Sequence, residues 1–196
     1  MSTLKKPRRP STPQRVYQLH VELEYLEPAI WRRLWVPDTL TLDKLERVIQ
    51  TAMGWKNAHL HAFTVGQVRY AAPDPDWSSR IETRDERQWD LAAVLADGTR
   101  EFIYTYDFGD DWRHRIRVET SLDPSEKNRR PLCVAGANAC PPEDVGGPPG
   151  YSDFLQAITE PVHPQHLDMW KWNGGPFDPA GFDLNGVNAA MRKLRL

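Results

Sequence analysis

Cysteine is scarce in this chain: Cys133 and Cys140 are the only two among 196 residues. Two thiols make no disulfide framework, and in a reducing compartment they stay reduced, so the fold has to rest on an apolar core. No uninterrupted apolar run of about 18 residues occurs, as a membrane-spanning helix would need, and the N-terminus shows no apolar stretch of the signal-peptide kind. The expected location is the cytoplasm, with no membrane partner. Catalytic signatures are missing as well. No serine stands in a G-x-S-x-G elbow, no phosphate-binding glycine loop is present, and neither cysteine has the context of a nucleophile. Asp107-Phe108-Gly109 imitates a kinase metal-binding triplet, but the glycine-rich loop, paired lysine and catalytic loop that accompany it are absent.

What is present is enough chain for one domain. Eight Trp, six Tyr and six Phe supply large side chains for a core that needs no staples. Charge is unevenly placed. The formal net charge is -2, yet Lys5, Lys6, Arg8, Arg9 and Arg15 precede any acid, so the other 20 basic and 27 acidic residues give the body about -7. Residues 1–14 read as a basic, proline-broken, disordered tail, with phosphate contact as the alternative; residues 15–196 read as a single domain. An acidic body opposes broad nucleic-acid binding by the folded part.

From Val16, alternation puts Tyr17, Leu19, Val21, Leu23 and Tyr25 on one face of a strand, followed by a turn at Glu27-Pro28 and a second strand from Ile30 to Val36. Leu42, Leu45, Val48, Ile49, Ala52 and Met53 recur at helical spacing, with Thr41 as cap and Gly54 as stop. His59–Val65 and Val68–Tyr70 form a hairpin across Gly66-Gln67. The class is α+β: a β-grasp-like half ordered strand-strand-helix-strand-strand, extended by a further hairpin and C-terminal helices. Residues 71–88 read as an irregular excursion and Asp90–Leu95 as a short helix. The further hairpin joins Glu101–Asp107 to Trp112–Thr120, with Arg113, Arg115 and Arg117 on one face and Trp112, His114, Ile116 and Val118 on the other. Helical pieces are expected at Ser152–Thr159, Pro164–Trp172 and Leu184–Leu194, the last capped by Asp183.

Two loop blocks stand apart: Tyr106-Asp107-Phe108-Gly109-Asp110-Asp111-Trp112 and Cys140-Pro141-Pro142-Glu143-Asp144-Val145-Gly146-Gly147. Neither periodicity nor composition requires carboxylates, glycines and prolines at this density, so a site is sought there first. With Pro28-Ala29-Ile30-Trp31-Arg32-Arg33, Met53-Gly54-Trp55, His59-Leu60-His61-Ala62-Phe63, Gly150-Tyr151, Phe177-Asp178-Pro179 and Phe182-Asp183, these blocks resemble the plasmid pRiA4b ORF-3-like family. Members are also labelled resolvase-like passengers of insertion sequences. The resemblance spans nearly all of the chain outside the tail. It implies an α+β fold and an association with plasmids or mobile elements, and it carries no established activity.

Read residue by residue, His59 and His61 would project from one strand face and could share a metal or bind an anion; the alternative is that one packs and the other bonds to backbone. Asp107, Asp110 and Asp111 supply the oxygens a hard cation favours, and equally the side chains of a tight turn. Glu143 and Asp144, stiffened by Pro141-Pro142, suit acid/base work or metal binding, or else a structural loop. His114 is a candidate that also reads as a hydrogen-bonded core histidine. A metal set of His59, His61 and Asp107 follows, with a divalent metal as the implied cofactor. Cys133, Cys140, His163 and His166 hold enough ligands for zinc, at gaps that match no standard finger.

Three function classes remain. The first is a non-enzymatic interaction module for a protein or nucleic-acid partner, favoured by the lack of a complete catalytic motif. The second is a metal-dependent hydrolase or nuclease in which His59, His61, Asp107, Asp110, His114, Glu143 and Asp144 converge on a cation. The third is a DNA-binding accessory that uses the tail and the Arg113, Arg115, Arg117 face.

Overall fold

A computed structural model describes residues 12–73 and 82–196. Nearly all of the tail, and Trp77 with much of the expected excursion, lie outside the described residues. One sheet carries the fold. In chain order come β1 (Val16–Leu23), β2 (Trp31–Pro37), helix α1 (Leu42–Met53), β3 (His61–Val65), β4 (Val68–Ala71), β5 (Thr83–Asp85) and a 3-10 turn (Glu86–Gln88). Helix α2 (Leu91–Val94), β6 (Glu101–Tyr106), β7 (Trp112–Leu122) and β8 (Leu132–Ala137) follow, and α3 (Gly147–Thr159), α4 (His166–Trp172) and α5 (Leu184–Met191) close the sequence. The eight strands lie in the order β5-β4-β3-β6-β7-β1-β2-β8, antiparallel throughout except between β4 and β5. This is a mixed α+β architecture, as the patterning implied.

The β-grasp-like half does not form a unit of its own. Strand-strand-helix-strand-strand is the chain order, but β6 and β7 stand between the two hairpins. The reason lies in the inserted pair: Phe102, Tyr104, Tyr106, Trp112 and Ile116 are all buried, so these strands have an apolar face worth placing at the sheet centre. Other expectations shift for similar local reasons. β1 ends at Leu23, and Tyr25 leaves the apolar face, exposed in a left-handed turn at φ 67°. Part of the expected excursion is β5, which hydrogen-bonds beside β4. β8 was not anticipated, because Leu132–Ala137 has no alternation and contains Gly136. That glycine is required, since a Cβ there would lie 2.7 Å from the Phe182 ring and 2.9 Å from Arg32.

Helix α1 packs its whole predicted stripe into the core and stops at Gly54 with φ 96°. Thr41 does not cap it with its side chain; the residue is buried and its backbone bridges to Asp90. Asp90 and Asp183 do cap α2 and α5, each accepting from a backbone N–H at 2.9 Å. Under the C-terminal end of α1, the Arg32 guanidinium donates to the Ala52 carbonyl at 2.9 Å, to Trp31 and Ala137 at 2.8 Å, and to Asn138 at 3.0 Å. Its partners are carbonyl dipoles, with the Phe182 ring 4.2 Å away, so burial draws its pKa down while the fork keeps its hydrogen bonds.

Candidate functional site

Three loops meet where β3 begins and the β6–β7 hairpin turns: residues 54–60, 107–111 and 140–147. The two blocks singled out in the sequence are thus neighbours. Gly146 N–H donates to Asp110 Oδ2 at 3.1 Å, and the Trp55 indole N–H donates to the Pro141 carbonyl at 2.8 Å. Lys56 N–H reaches Glu143 Oε1 at 2.7 Å; Ala58 N–H reaches the Tyr106 hydroxyl at 2.9 Å, and that hydroxyl in turn donates to Glu143 Oε2 at 3.1 Å. Burial pushes the Tyr106 phenol up to about 12, so it remains a donor at neutral pH.

The local sequence explains why these loops can fold this way. Asn57, Asp107, Asp111 and Asp144 all adopt left-handed backbone, with φ between 52° and 59°, where Asn and Asp are the side-chain-bearing residues best tolerated. Gly146 and Gly147 follow at φ 93° and 69°, and a Cβ on Gly147 would stand 2.5 Å from the Asp110 carbonyl oxygen. Backbone held in sparsely used conformations clusters at functional sites.

At the meeting point, ligand atoms of His59, Asp107 and Asp144 lie within 4.8 Å of one another. His59 Nε2 is 2.9 Å from Asp144 Oδ1 and 3.6 Å from Asp107 Oδ2. A cation bonded at about 2.1 Å separates neighbouring ligand atoms by roughly 3.0 to 3.4 Å, and the two distances from His59 bracket that range. Asp144 is largely exposed, whereas His59 and Asp107 are half-buried. The set is therefore open on the Asp144 side. Asp144 and Trp172 line both of two adjoining clefts, of about 480 and 340 Å³; Lys56 and Glu143 line the larger, Phe154 and Met169 the smaller.

The expected metal set of His59, His61 and Asp107 is not assembled. His59 precedes β3, so strand alternation does not apply to it, and His61 turns to Glu86 Oε2 at 2.9 Å. Burial alone would depress the His61 pKa, but the Glu86 hydrogen bond and the charges of Glu86, Glu46 and Asp43 raise it. Asp110 holds Gly146, Glu143 holds Tyr106, and the Asp111 amide bonds to the Asp107 carbonyl at 2.7 Å; these acids build the loops. His114 takes the core reading. It is fully buried, its Nδ1 lies 3.2 and 3.1 Å from the Tyr104 and Trp112 carbonyls, and burial lowers its pKa to about 4. Cys133 and Cys140 are free thiols raised by burial, and with His163 and His166 they form no ligand group among the described residues.

The arginine face is largely offset by Glu22 of β1 and by Glu24 just beyond it. Arg113 and Arg115 pair with Glu24 at 3.1 and 3.3 Å, and Arg117 lies 3.9 Å from Glu22. Sequence reading passed over Glu46 and Glu86. Both are buried, and Glu46 is pushed up to about 7, chiefly by burial, with His61 opposing and Glu86 reinforcing the rise. The signal was available: Glu46 occupies the α1 stripe between Leu45 and Ile49.

The fold and this three-loop site define an α+β protein with a centrally inserted hairpin and clustered His and Asp side chains. The chain belongs to the plasmid pRiA4b ORF-3-like protein family, whose pattern matches residues 15–186. It is 39% identical over 181 residues to the uncharacterised protein y4hQ of Sinorhizobium fredii (strain NBRC 101917 / NGR234), a match spanning 91% of this chain and 92% of that protein. It also resembles the crystal structure of MM3350, a protein of unknown function from Methanosarcina mazei Go1. That likeness has a TM-score of 0.81 at 34% identity and covers 90% of this chain and 98% of the other. Among the described residues, no helix is long and apolar enough to cross a membrane.

Proposed function

We propose that this protein is a divalent-cation-dependent hydrolase whose ion is held by His59, Asp107 and Asp144. The supporting observation is the convergence of one imidazole and two carboxylates, from three separate loops, within coordinating range beside an open cleft. His59, Asp107 and Asp144 would leave positions for water and substrate, and a cation held there would activate water and act as a Lewis acid on the bond to be cleaved. Glu143, which lines the same cleft as Asp144 while its carboxylate also braces the loops through Tyr106 and the Lys56 amide, is the proton acceptor this reading assigns. The family name links the chain to a plasmid, and a cytoplasmic accessory role for such an element is consistent with this chemistry.

Metal content of the untagged protein by inductively coupled plasma mass spectrometry, repeated on His59→Ala and Asp107→Ala, tests the reading. The expected result is near-stoichiometric manganese, zinc or iron that either variant loses. No bound metal after incubation with divalent ions would end the hydrolase reading.

A second reading, the non-enzymatic interaction module, draws on exposed apolar residues after α3 and along α4: Val162, Leu167, Trp170 and Trp172. Under it, a protein partner covers α4, and Trp170→Ala weakens capture of that partner without changing metal content. The ion pairs of Arg113, Arg115 and Arg117 with Glu22 and Glu24 tell against the DNA-binding use of that face.

A further inference from the structure

At the far end of α1 from the three-loop site, cations outnumber the acids that pair with them. A cleft of about 240 Å³ is lined by Lys44, Arg129 and Arg130 over a floor that includes Leu40, Met191 and Leu194. Arg47, one turn along α1, donates to the Arg195 carbonyl at 2.9 Å, which sets the segment after α5 against the same surface. Arg192, Lys193 and Arg195 on that segment are exposed, as are Arg47, Arg129 and Arg130. Arg129 pairs with Glu126; among the described residues no ion pair engages Lys44, Arg47, Arg130, Arg192, Lys193 or Arg195. This contrasts with Arg113, Arg115 and Arg117, whose charges face Glu22 and Glu24.

Gln14 and Arg15 are tied to Asp38, their amides donating to its carboxylate at 3.2 and 3.0 Å, and Asp38 sits between Pro37 and Thr39, both of which line the cleft. The sequence that leads up to this anchor carries Lys5, Lys6, Arg8 and Arg9 and no acid. The net charge of -2 hides a segregation, with acids at the three-loop site and mostly unpaired bases about 15 Å away along a helix that rises about 1.5 Å per residue.

We propose that the surface formed by Lys44, Arg47, Arg130 and the Arg192–Arg195 segment binds the phosphate backbone of a nucleic acid. Spread point charges without an exposed aromatic among them suit a repeating row of phosphates read without base contacts. The same spread does not suit a membrane surface, which also calls for apolar side chains that project from the patch. The surface is separate from the proposed cation site and does not depend on it.

The test is fluorescence anisotropy of a short labelled DNA duplex titrated with the full chain across a range of salt concentrations. The comparison variant is Arg130→Glu, Lys193→Glu, Arg195→Glu, a set of exposed side chains whose folding is verified by circular dichroism. Each phosphate contact contributes about 0.9 to the log–log salt slope, so the triple reversal is expected to flatten the slope by about 3 and weaken low-salt affinity more than about tenfold. Arg113→Gln, Arg117→Gln on the paired face should change affinity less than about twofold. A chain lacking residues 1–11 should keep its sensitivity to the triple reversal. Absence of duplex binding at low salt, indifference to the triple reversal, or preference for vesicles rich in anionic lipid over the duplex would each overturn the proposal.

Discussion

Glu46 should make this protein lose stability as pH rises through neutrality, and Glu46→Gln should abolish most of that loss. The carboxyl is 2% exposed on the buried stripe of α1; one oxygen has no hydrogen-bond partner and the other meets Asn57 Nδ2 only at 3.4 Å. Burial, reinforced by Glu86 and opposed by His61, raises its pKa from 4.5 to about 7. In that window the folded chain keeps a proton that the unfolded chain releases, so stability falls as pH climbs and the loss is complete above about 7. At 1.36 kcal/mol per pH unit, the loss between about pH 5 and about pH 8 comes to roughly 2.5 kcal/mol. Gln has the same shape and no charge, so relative to the natural chain the variant should gain roughly that amount across the same interval. Urea unfolding of both proteins at the two pH values measures it. His114 titrates in both proteins, so its contribution largely cancels in the difference, whereas the variant removes the Glu46 charge that helps raise His61, and the His61 titration is followed by NMR in both. Parallel pH profiles for the two proteins would refute the reasoning.

Gly147→Ala forces a Cβ to 2.5 Å from the Asp110 carbonyl oxygen at φ 69°, and thermal unfolding should show a loss of about 1 to 3 kcal/mol. Arg32→Met leaves four carbonyls without their donor, and chemical denaturation should reveal a loss on the order of 3 kcal/mol or more. His114, held neutral by burial with a pKa of about 4, should keep the ring-nitrogen NMR shifts of an uncharged imidazole down to about pH 5. Stability that depends on this neutral ring is present above the ordinary histidine pKa of 6.5 and is lost as pH falls toward 4.

Helix α1 was legible because its six apolar residues repeat at helical spacing and a glycine follows them; both signals are local. The central β6–β7 hairpin was legible as a hairpin but not as an insertion, because alternation reports which face is buried and not which strands become neighbours. β8 escaped notice since an edge strand with a glycine shows little pattern, and Gly136 is explained only by Phe182 and Arg32, distant in sequence. At the site, the two loop blocks were visible from composition, and His59, Asp107 and Asp144 were all among the candidates. Their grouping was not visible. His59 and His61 look equivalent in sequence, yet β3 begins between them, so one faces the acidic loops and the other Glu86. Which acids only brace the loops and which also face His59, as Asp107 does while its Oδ1 accepts from the Gly109 amide, is decided by chain segments dozens of residues apart.

The cation site is the central claim, and anomalous scattering tests it most directly. Crystals soaked in manganese and measured on the high-energy side of its absorption edge should show one strong anomalous peak bounded by His59 Nε2, Asp107 Oδ2 and Asp144 Oδ1, absent in Asp107→Ala. A map without a peak there, or with manganese bound only by other acids, would contradict the account and leave the three loops as architecture.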